Sequence, residues 1–294
     1  MTRSFSTLGP ALSGAFLMIL AGALFAVVNT LVQYGAMVAG IPSARLAFWQ
    51  YLIASLAALP WVLRQGRAAW ARIHLPLHLI RVALAAGGVQ LWVAGLAHVP
   101  IWQAIALIML SPFFVTLGAG LILHEATGRD RWLAVVVGFA GGMIVLAPWA
   151  DSFSLHALLP VAAAALWAGT SLLTKRLTRT EGPETVTVLL LVLLTPVNAL
   201  VALPEGLALS GGMPGLLLVA AGLLTALAQY LLARAYAVAD ASYLQPFDHV
   251  KLPFNVLLGL AVFGFVPPGA LWLGSALIVG ASFFLMRRES LASV

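Results

Sequence analysis

The basic residues of this chain follow a rhythm. The sequence reads as about ten long apolar segments, and nearly every Lys and Arg falls in alternate gaps between them. The groups are Arg3; Arg64, Arg67, Arg72 and Arg81; Arg129 and Arg131; Lys175, Arg176 and Arg179; Arg234; and Arg287 with Arg288. The gaps near 36–43, 98–101, 148–155, 204–213 and 264–268 hold neither residue, apart from Arg45 just past the first. A Lys/Arg bias in short connections orients a chain across a bilayer. The charged gaps therefore define the cytoplasmic side. Arg3 at the amino end, with Arg287 and Arg288 at the carboxyl end, puts both termini there, as an even number of spans requires. Only Arg45 and Lys251 break the pattern.

Composition excludes a water-soluble fold. Of 294 residues, 62% are hydrophobic and 8% are charged, against about 25% charged in soluble domains. The expected spans are 11–35, 44–63, 79–98, 102–123, 131–147, 156–175, 184–203, 214–234, 241–264 and 268–286. All should be helical, because backbone in lipid must satisfy its own hydrogen bonds; strand-like alternation is absent. The formal charge of +6 serves orientation and contact with anionic headgroups rather than nucleic acid. With no cysteine, disulfides and thiolate metal sites are excluded. The first apolar run exceeds a signal-peptide core and reads as a retained span. Trp49, Trp61, Trp70, Trp132, Trp149 and Trp272 fall at or near expected span ends, as an aromatic belt requires. The expected fold class is an all-α integral membrane protein with ten transmembrane helices, placed in the cell inner membrane.

A faint repeat runs through the chain. Ser111-Pro112-Phe113 resembles Leu252-Pro253-Phe254 at an offset of 141 (112 to 253), and Trp132-Leu133 matches Trp272-Leu273 at 140 (132 to 272). Each half then holds five spans. Five is odd, so the second copy enters the membrane upside down, giving two inverted five-helix units over 12–147 and 157–286. Many secondary transporters use this arrangement, with a site at the repeat interface.

Polar groups at bilayer depth mark the candidate site. Span nine carries Gln245, Asp248, Lys251 and Asn255 at helical spacing, so they share one stripe. Asp248 and Lys251 lie one turn apart. They form either an ion pair holding helices together or a polar wall of a substrate pathway, and Gln245 and Asn255 favour the wall. Pro246 and Pro253 in span nine, Pro112 in span four and Pro196 in span seven each delete a helical hydrogen bond; Pro112, Pro246 and Pro253 are candidate hinges beside a cavity, or static kinks. Span one sets Gly22, Ala26, Asn29 and Gln33 on one face; span six sets Ala163, Trp167, Thr170 or Ser171, and Thr174. Such stripes also serve as packing contacts. Span eight adds Thr225, Gln229 and Tyr230, and span three adds Gln90, Trp92 and His98. Trp92, Trp102 and Trp167 are candidates to line an apolar cavity. Arg45 either snorkels to headgroups, the favoured reading, or attracts anionic solutes.

There is no G-x-x-x-x-G-K-[ST] loop to cradle phosphates, no H-E-x-x-H cluster and no nucleophile elbow. Neither ATP-driven pumping by this chain alone nor covalent chemistry has visible apparatus, and no metal or cofactor is expected.

The stretch from Ala241-Ser242-Tyr243-Leu244-Gln245-Pro246-Phe247-Asp248-His249 to Val250-Lys251-Leu252-Pro253-Phe254, followed by Gly259 and Phe263-Gly264, resembles the ninth helix of the EamA family of the drug/metabolite transporter superfamily. Leu110-Ser111-Pro112-Phe113-Phe114 leading to Glu125, and Arg45-Leu46, resemble the same family's first half. Within it the chain looks most similar to YddG-type exporters of aromatic and other amino acids. The resemblance implies two inverted five-helix units, a central cavity framed by spans one, three, four, six, eight and nine, and export from the cytoplasm. Phe265 stands where the family often has Glu after Phe-Gly, and span seven lacks a counterpart of Arg45.

The expected function is a secondary carrier working by alternating access on a small metabolite, most readily an amino acid. Asp248 and Lys251 would meet a zwitterion, with Asn29, Gln33 and Gln245 adding hydrogen bonds. The expected substrate-contacting set is Asn29, Gln33, Trp92, Trp102, Trp167, Ser171, Gln229, Tyr230, Gln245, Asp248, Lys251 and Asn255. Rival readings are a carrier of phosphorylated or sugar-linked metabolites, a membrane-embedded enzyme acting on lipid, and a channel. The partners expected are a small molecule and the bilayer, not nucleic acid, with the chain acting as a monomer or homodimer.

Overall fold

A computed structural model describes residues 10–64, 73–122, 129–147, 149–150, 153–209, 211–239, 244, 247–249 and 251–292. Gln245 and Pro246 of the candidate site lie outside the described residues, as do Arg3, Arg67, Arg72, Trp70, His124 and Glu125. Among the described residues there are eleven α-helices and no strand. They are α1 (Pro10–Met37), α2 (Ser43–Arg64), α3 (Leu75–His98), α4 (Ile101–Ile108), α5 (Ser111–Ile122), α6 (Arg129–Leu146), α7 (Leu158–Leu177), α8 (Pro183–Ala202), α9 (Gly212–Val238), α10 (Lys251–Phe263) and α11 (Gly269–Ala292). Short 3₁₀ turns precede α7 (Leu155–Ala157) and follow α8 (Leu203–Glu205). Five segments, Leu12–Met37, Leu75–His98, Leu155–Leu177, Pro183–Glu205 and Gly212–Val238, are long and apolar enough to cross a membrane.

The bundle has an apolar exterior as well as a largely apolar core, unlike a soluble protein. Large apolar side chains such as Leu56, Leu79, Ile80, Leu216 and Leu257 face outward, while Gln33, His78, Arg81, Asn198, Thr225 and Asn255 are buried. In lipid the apolar groups need no cover, and the polar ones need protein partners. Gln90 Nε2 donates to Asn198 Oδ1 at 2.8 Å between α3 and α8, and Gln50 Nε2 to Thr225 Oγ1 at 2.9 Å between α2 and α9.

Contacts at the helix termini sort the connections into two ends. At one, the backbone N–H of His74 donates to Glu181 in the α7–α8 loop at 3.0 Å. There Lys175, near the end of α7, donates to the carbonyls of Tyr236 and Ala239 closing α9, at 3.3 and 2.9 Å. A cation at a helix C-terminus satisfies carbonyls that have no partner within the helix. At the opposite end, Gln33 near the end of α1 donates to the carbonyls of Leu96 and Val99 closing α3, both at 3.2 Å. Arg45, early in α2, donates from Nε to Gly206 O at 2.9 Å and from Nη2 to Glu205 O, and Trp49 Nε1 donates to Leu207 O at 3.2 Å. Arg45 thus binds the loop between α8 and α9 instead of reaching for headgroups. The segment entering α3 and the α7–α8 loop thus meet at one end of the bundle.

Two expected spans are interrupted. Span four is divided between α4 and α5 at Met109–Leu110, and in span nine the helical Phe247 and Asp248 give way to a turn at His249 ahead of α10 at Lys251. Pro112 and Pro253 consequently sit in the first turns of α5 and α10. A missing N–H costs nothing there and the fixed φ suits helix entry. These two prolines mark helix starts after a break and do not kink a continuous helix. Pro196, by contrast, lies inside α8.

The most extensive helix packing joins α1 with α9, α6 with α11, α3 with α7, and α2 with α8. The α6–α11 seam depends on small residues: a Cβ on Gly141 would lie 2.6 Å from Gly274 O and one on Gly274 2.7 Å from Gly141 O. Replacing Gly141 by Val should force the two backbones apart, at a cost of about 1–3 kcal/mol. Thermal unfolding of the detergent-solubilised protein would register this as a lowered Tm, whereas an unchanged Tm would contradict the seam.

Candidate functional site

A chamber of about 1250 Å³ of empty space, its mouth included, opens among the helices. Walls come from α1, α3, α4, Ser111 of α5, α7, α9 and the start of α10, with Gln50 and Tyr51 of α2 and Leu190 and Leu194 of α8 adding to the expected frame.

A chain of hydrogen bonds crosses one wall. Trp92 Nε1 on α3 donates to Asn29 Oδ1 on α1 at 3.3 Å, and Asn29 Nδ2 donates to Asn255 Oδ1 on α10 at 3.3 Å. Asn255 Nδ2 donates to the Lys251 carbonyl at 2.6 Å, and Lys251 Nζ pairs with Asp248 at 2.5 Å. Asn255 is 0% exposed and stands behind the wall, fixing Asn29. Gly22 gives the start of α10 its seat on α1: a Cβ there would be in van der Waals contact with Lys251, 3.5 Å from its Cβ.

Trp92 continues this wall into an aromatic surface. Trp92 and Trp167 lie with ring centroids 5.6 Å apart and planes 50° to each other. Trp167 rests in a notch at Gly88, where a Cβ would come within 2.4 Å of its Nε1. Towards the end of the bundle that carries Glu181, Arg81 of α3 donates from Nε to Thr174 Oγ1 and from Nη1 to Val186 O, both at 2.8 Å. One turn earlier on α3, buried His78 Nε2 lies 2.8 Å from Glu181 Oε2.

Of the expected set, Asn29, Trp92, Trp167, Ser171, Gln229, Asp248 and Lys251 line this chamber. Others lie elsewhere. Gln33 is committed to the carbonyls that close α3. Tyr230 donates to Glu184 Oε1 at 3.0 Å and its ring lies 4.7 Å from that of Trp61, away from the chamber. Trp102 is half-buried against the core of the bundle. The chamber also recruits Phe25, Gln50, Tyr51, Arg81, Ser111 and Tyr236, which the sequence reading did not assign to it. Gln50 carried a signal, a lone amide at bilayer depth. Arg81 was counted among the gap cations although it fell inside span three. Among the described residues no cluster of His, Asp or Glu is arranged to hold a metal.

A multi-pass helical bundle enclosing a polar and aromatic chamber defines a membrane carrier of small molecules. Residues 12–147 match the EamA-like transporter family. Over 95% of the chain it is 56% identical to the riboflavin transporter of Rhizobium johnstonii, covering 92% of that protein, and 51% identical to the riboflavin transporter of Vibrio cholerae, covering 94%. It is 27% identical to the pseudopaline exporter CntI of Pseudomonas aeruginosa over 94% of this chain and 97% of that protein. A solved crystal structure, 21% identical, superposes with a TM-score of 0.68 over 95% of this chain and 98% of that one, which shows the shared fold. The chain belongs to the EamA-like transporter family. It is a transporter of the drug/metabolite class, not an enzyme, and its setting is the membrane.

Two substitutions probe the walls. Gly88→Ala should displace the Trp167 indole, costing about 1–3 kcal/mol, with a shift in tryptophan emission; unchanged emission and Tm would argue against the notch. Asp248→Asn leaves Lys251 without its acid inside the bundle and should destabilise by about 3 kcal/mol. Adding Lys251→Met should recover most of that loss. A double variant whose Tm equals the sum of the two single losses would show the pair to be uncoupled.

Proposed function

We propose that this protein carries riboflavin across the cell inner membrane by alternating access between two inverted five-helix units, residues 12–147 and 157–286, with both termini cytoplasmic. The observation that carries the substrate is the near full-length identity of 56% and 51% to proteins named riboflavin transporters. The chamber agrees with a flat heteroaromatic cargo, offering the inclined Trp92–Trp167 pair beside the amides of Asn29, Gln50 and Gln229. Base-type rings stack on aromatic faces, at about 1–3 kcal/mol each.

Amino-acid export, suggested by the YddG-type resemblance, has weaker support. A zwitterion wants open partners of both signs, whereas Asp248 and Lys251 satisfy each other at 2.5 Å.

The pattern of helix contacts supports the duplication. If the second unit repeats the first, α7 corresponds to α1 and α9 to α3. The contact of α1 with α9 then corresponds to that of α7 with α3, and α1 with α10 to α7 with α5. The breaks before Ser111 and Lys251 correspond as well. Two such units exchanging conformations would open the chamber to each side in turn.

Purified protein in liposomes should take up labelled riboflavin with saturation and in competition with unlabelled flavin. Amino-acid flux without flavin flux would overturn this reading.

A further inference from the structure

The charges around the chamber do not cancel. Lys251 is answered by Asp248, but Arg81 is 3% exposed and held by two neutral groups, a hydroxyl and a backbone carbonyl. Thr174 spends its own proton on Thr170 O at 2.7 Å, so its hydroxyl presents only a lone pair to Arg81. The Glu181 carboxylate beyond is engaged at Oε1 by the His74 N–H and at Oε2 by His78 Nε2. Among the described residues no acceptor meets Arg81 Nη2. A buried guanidinium with no carboxylate in hydrogen-bonding contact, Glu181 acting on it only through space, is costly. Held rigidly at Nε and Nη1, it presents planar donors suited to carbonyl or other paired oxygen acceptors.

We infer that Arg81 is a specificity-determining residue that receives the dione edge of the substrate's ring while the ring system lies against Trp92 and Trp167. The inference rests on the flavin reading above. Thr174, which holds Arg81, stands seven residues beyond Trp167 on α7, about 10 Å along the helix axis. A fused three-ring heterocycle laid along this wall spans the indoles and the guanidinium together. One of its dione carbonyls accepts from Arg81 Nη2 and its hydroxylated chain extends towards Asn29. Both ends of the cargo are read, one by a fixed cation and the other by an amide.

The test compares the natural sequence with Arg81→Gln, Arg81→Lys and Thr174→Val, reading riboflavin uptake in liposomes and binding by flavin fluorescence quenching. Arg81→Gln should raise KM and Kd roughly tenfold or more with little change in maximal rate, and Arg81→Lys should recover part of the loss. Thr174→Val keeps the charge but frees the guanidinium and should raise KM roughly threefold, so the inference stays testable if Arg81→Gln fails to fold. Lumichrome, which keeps the dione and lacks the chain, should lose competing strength in parallel with riboflavin. Three results overturn the inference and leave the flavin reading standing: unchanged riboflavin affinity in the variants, lumichrome competition that ignores the Arg81 substitutions, or a phosphorylated flavin that outbinds riboflavin and alone depends on Arg81. A natural sequence that binds no flavin removes the flavin reading itself, and the inference with it.

Discussion

Inside hydrocarbon a polar atom has only protein to bond to, and an unanswered donor costs several kcal/mol. The architecture follows from that constraint. The helices satisfy their own backbones, and their polar side chains are spent between helices: Gln90 on Asn198, Gln50 on Thr225, Asn29 on Asn255. Termini are closed by side chains from neighbours, Lys175 on the end of α9 and Gln33 on the end of α1's partner α3. Other polar groups, Arg81, Ser171 and Gln229 among them, line one chamber, because a water-accessible space is where spare polar groups cost least. Binding capacity and bundle stability therefore draw on the same small stock of side chains.

Most of the helices were legible from apolar runs alone. The expected spans 11–35, 44–63 and 184–203 differ from α1, α2 and α8 by one or two residues at either end. Spans four and nine read as continuous because Met109 and Leu110 are as apolar as their neighbours, and hydropathy does not register a broken hydrogen-bond ladder. The proline in each was a true signal, read as a kink when it marked a start. Helix rotation was the harder problem. In a segment apolar on every side, nothing in composition says which face turns inward, so Tyr230 and Trp102 were placed with Gln229 and Trp92 although they point elsewhere. Arg81 was missed for a different reason. A cation three residues from a charged gap was taken for part of it, but α3 begins at Leu75, and that carries Arg81 a further turn into the bundle.

The two ends of the bundle are fastened by different chemistry. At one, a buried carboxylate with 1% of its side chain exposed is bound between His78 and the His74 backbone. At the other, the half-buried Arg45 grips two loop carbonyls, and Trp49 a third. Both fastenings join the start of a helix to a loop between two others, and they sit at opposite ends. The first is a charge-to-ring contact sealed from solvent; the second is a cation on neutral oxygens, partly open to solvent.

The indole of Trp167 is seated directly on main chain at Gly88, with no Cβ between them. A side chain lodged against backbone has lost the room to change rotamer, and its partner Trp92 is tethered through its ring nitrogen to Asn29. That stretch of wall is consequently as stiff as the helices themselves: a cargo must match its shape on arrival, and the wall moves only when α3 and α7 move together.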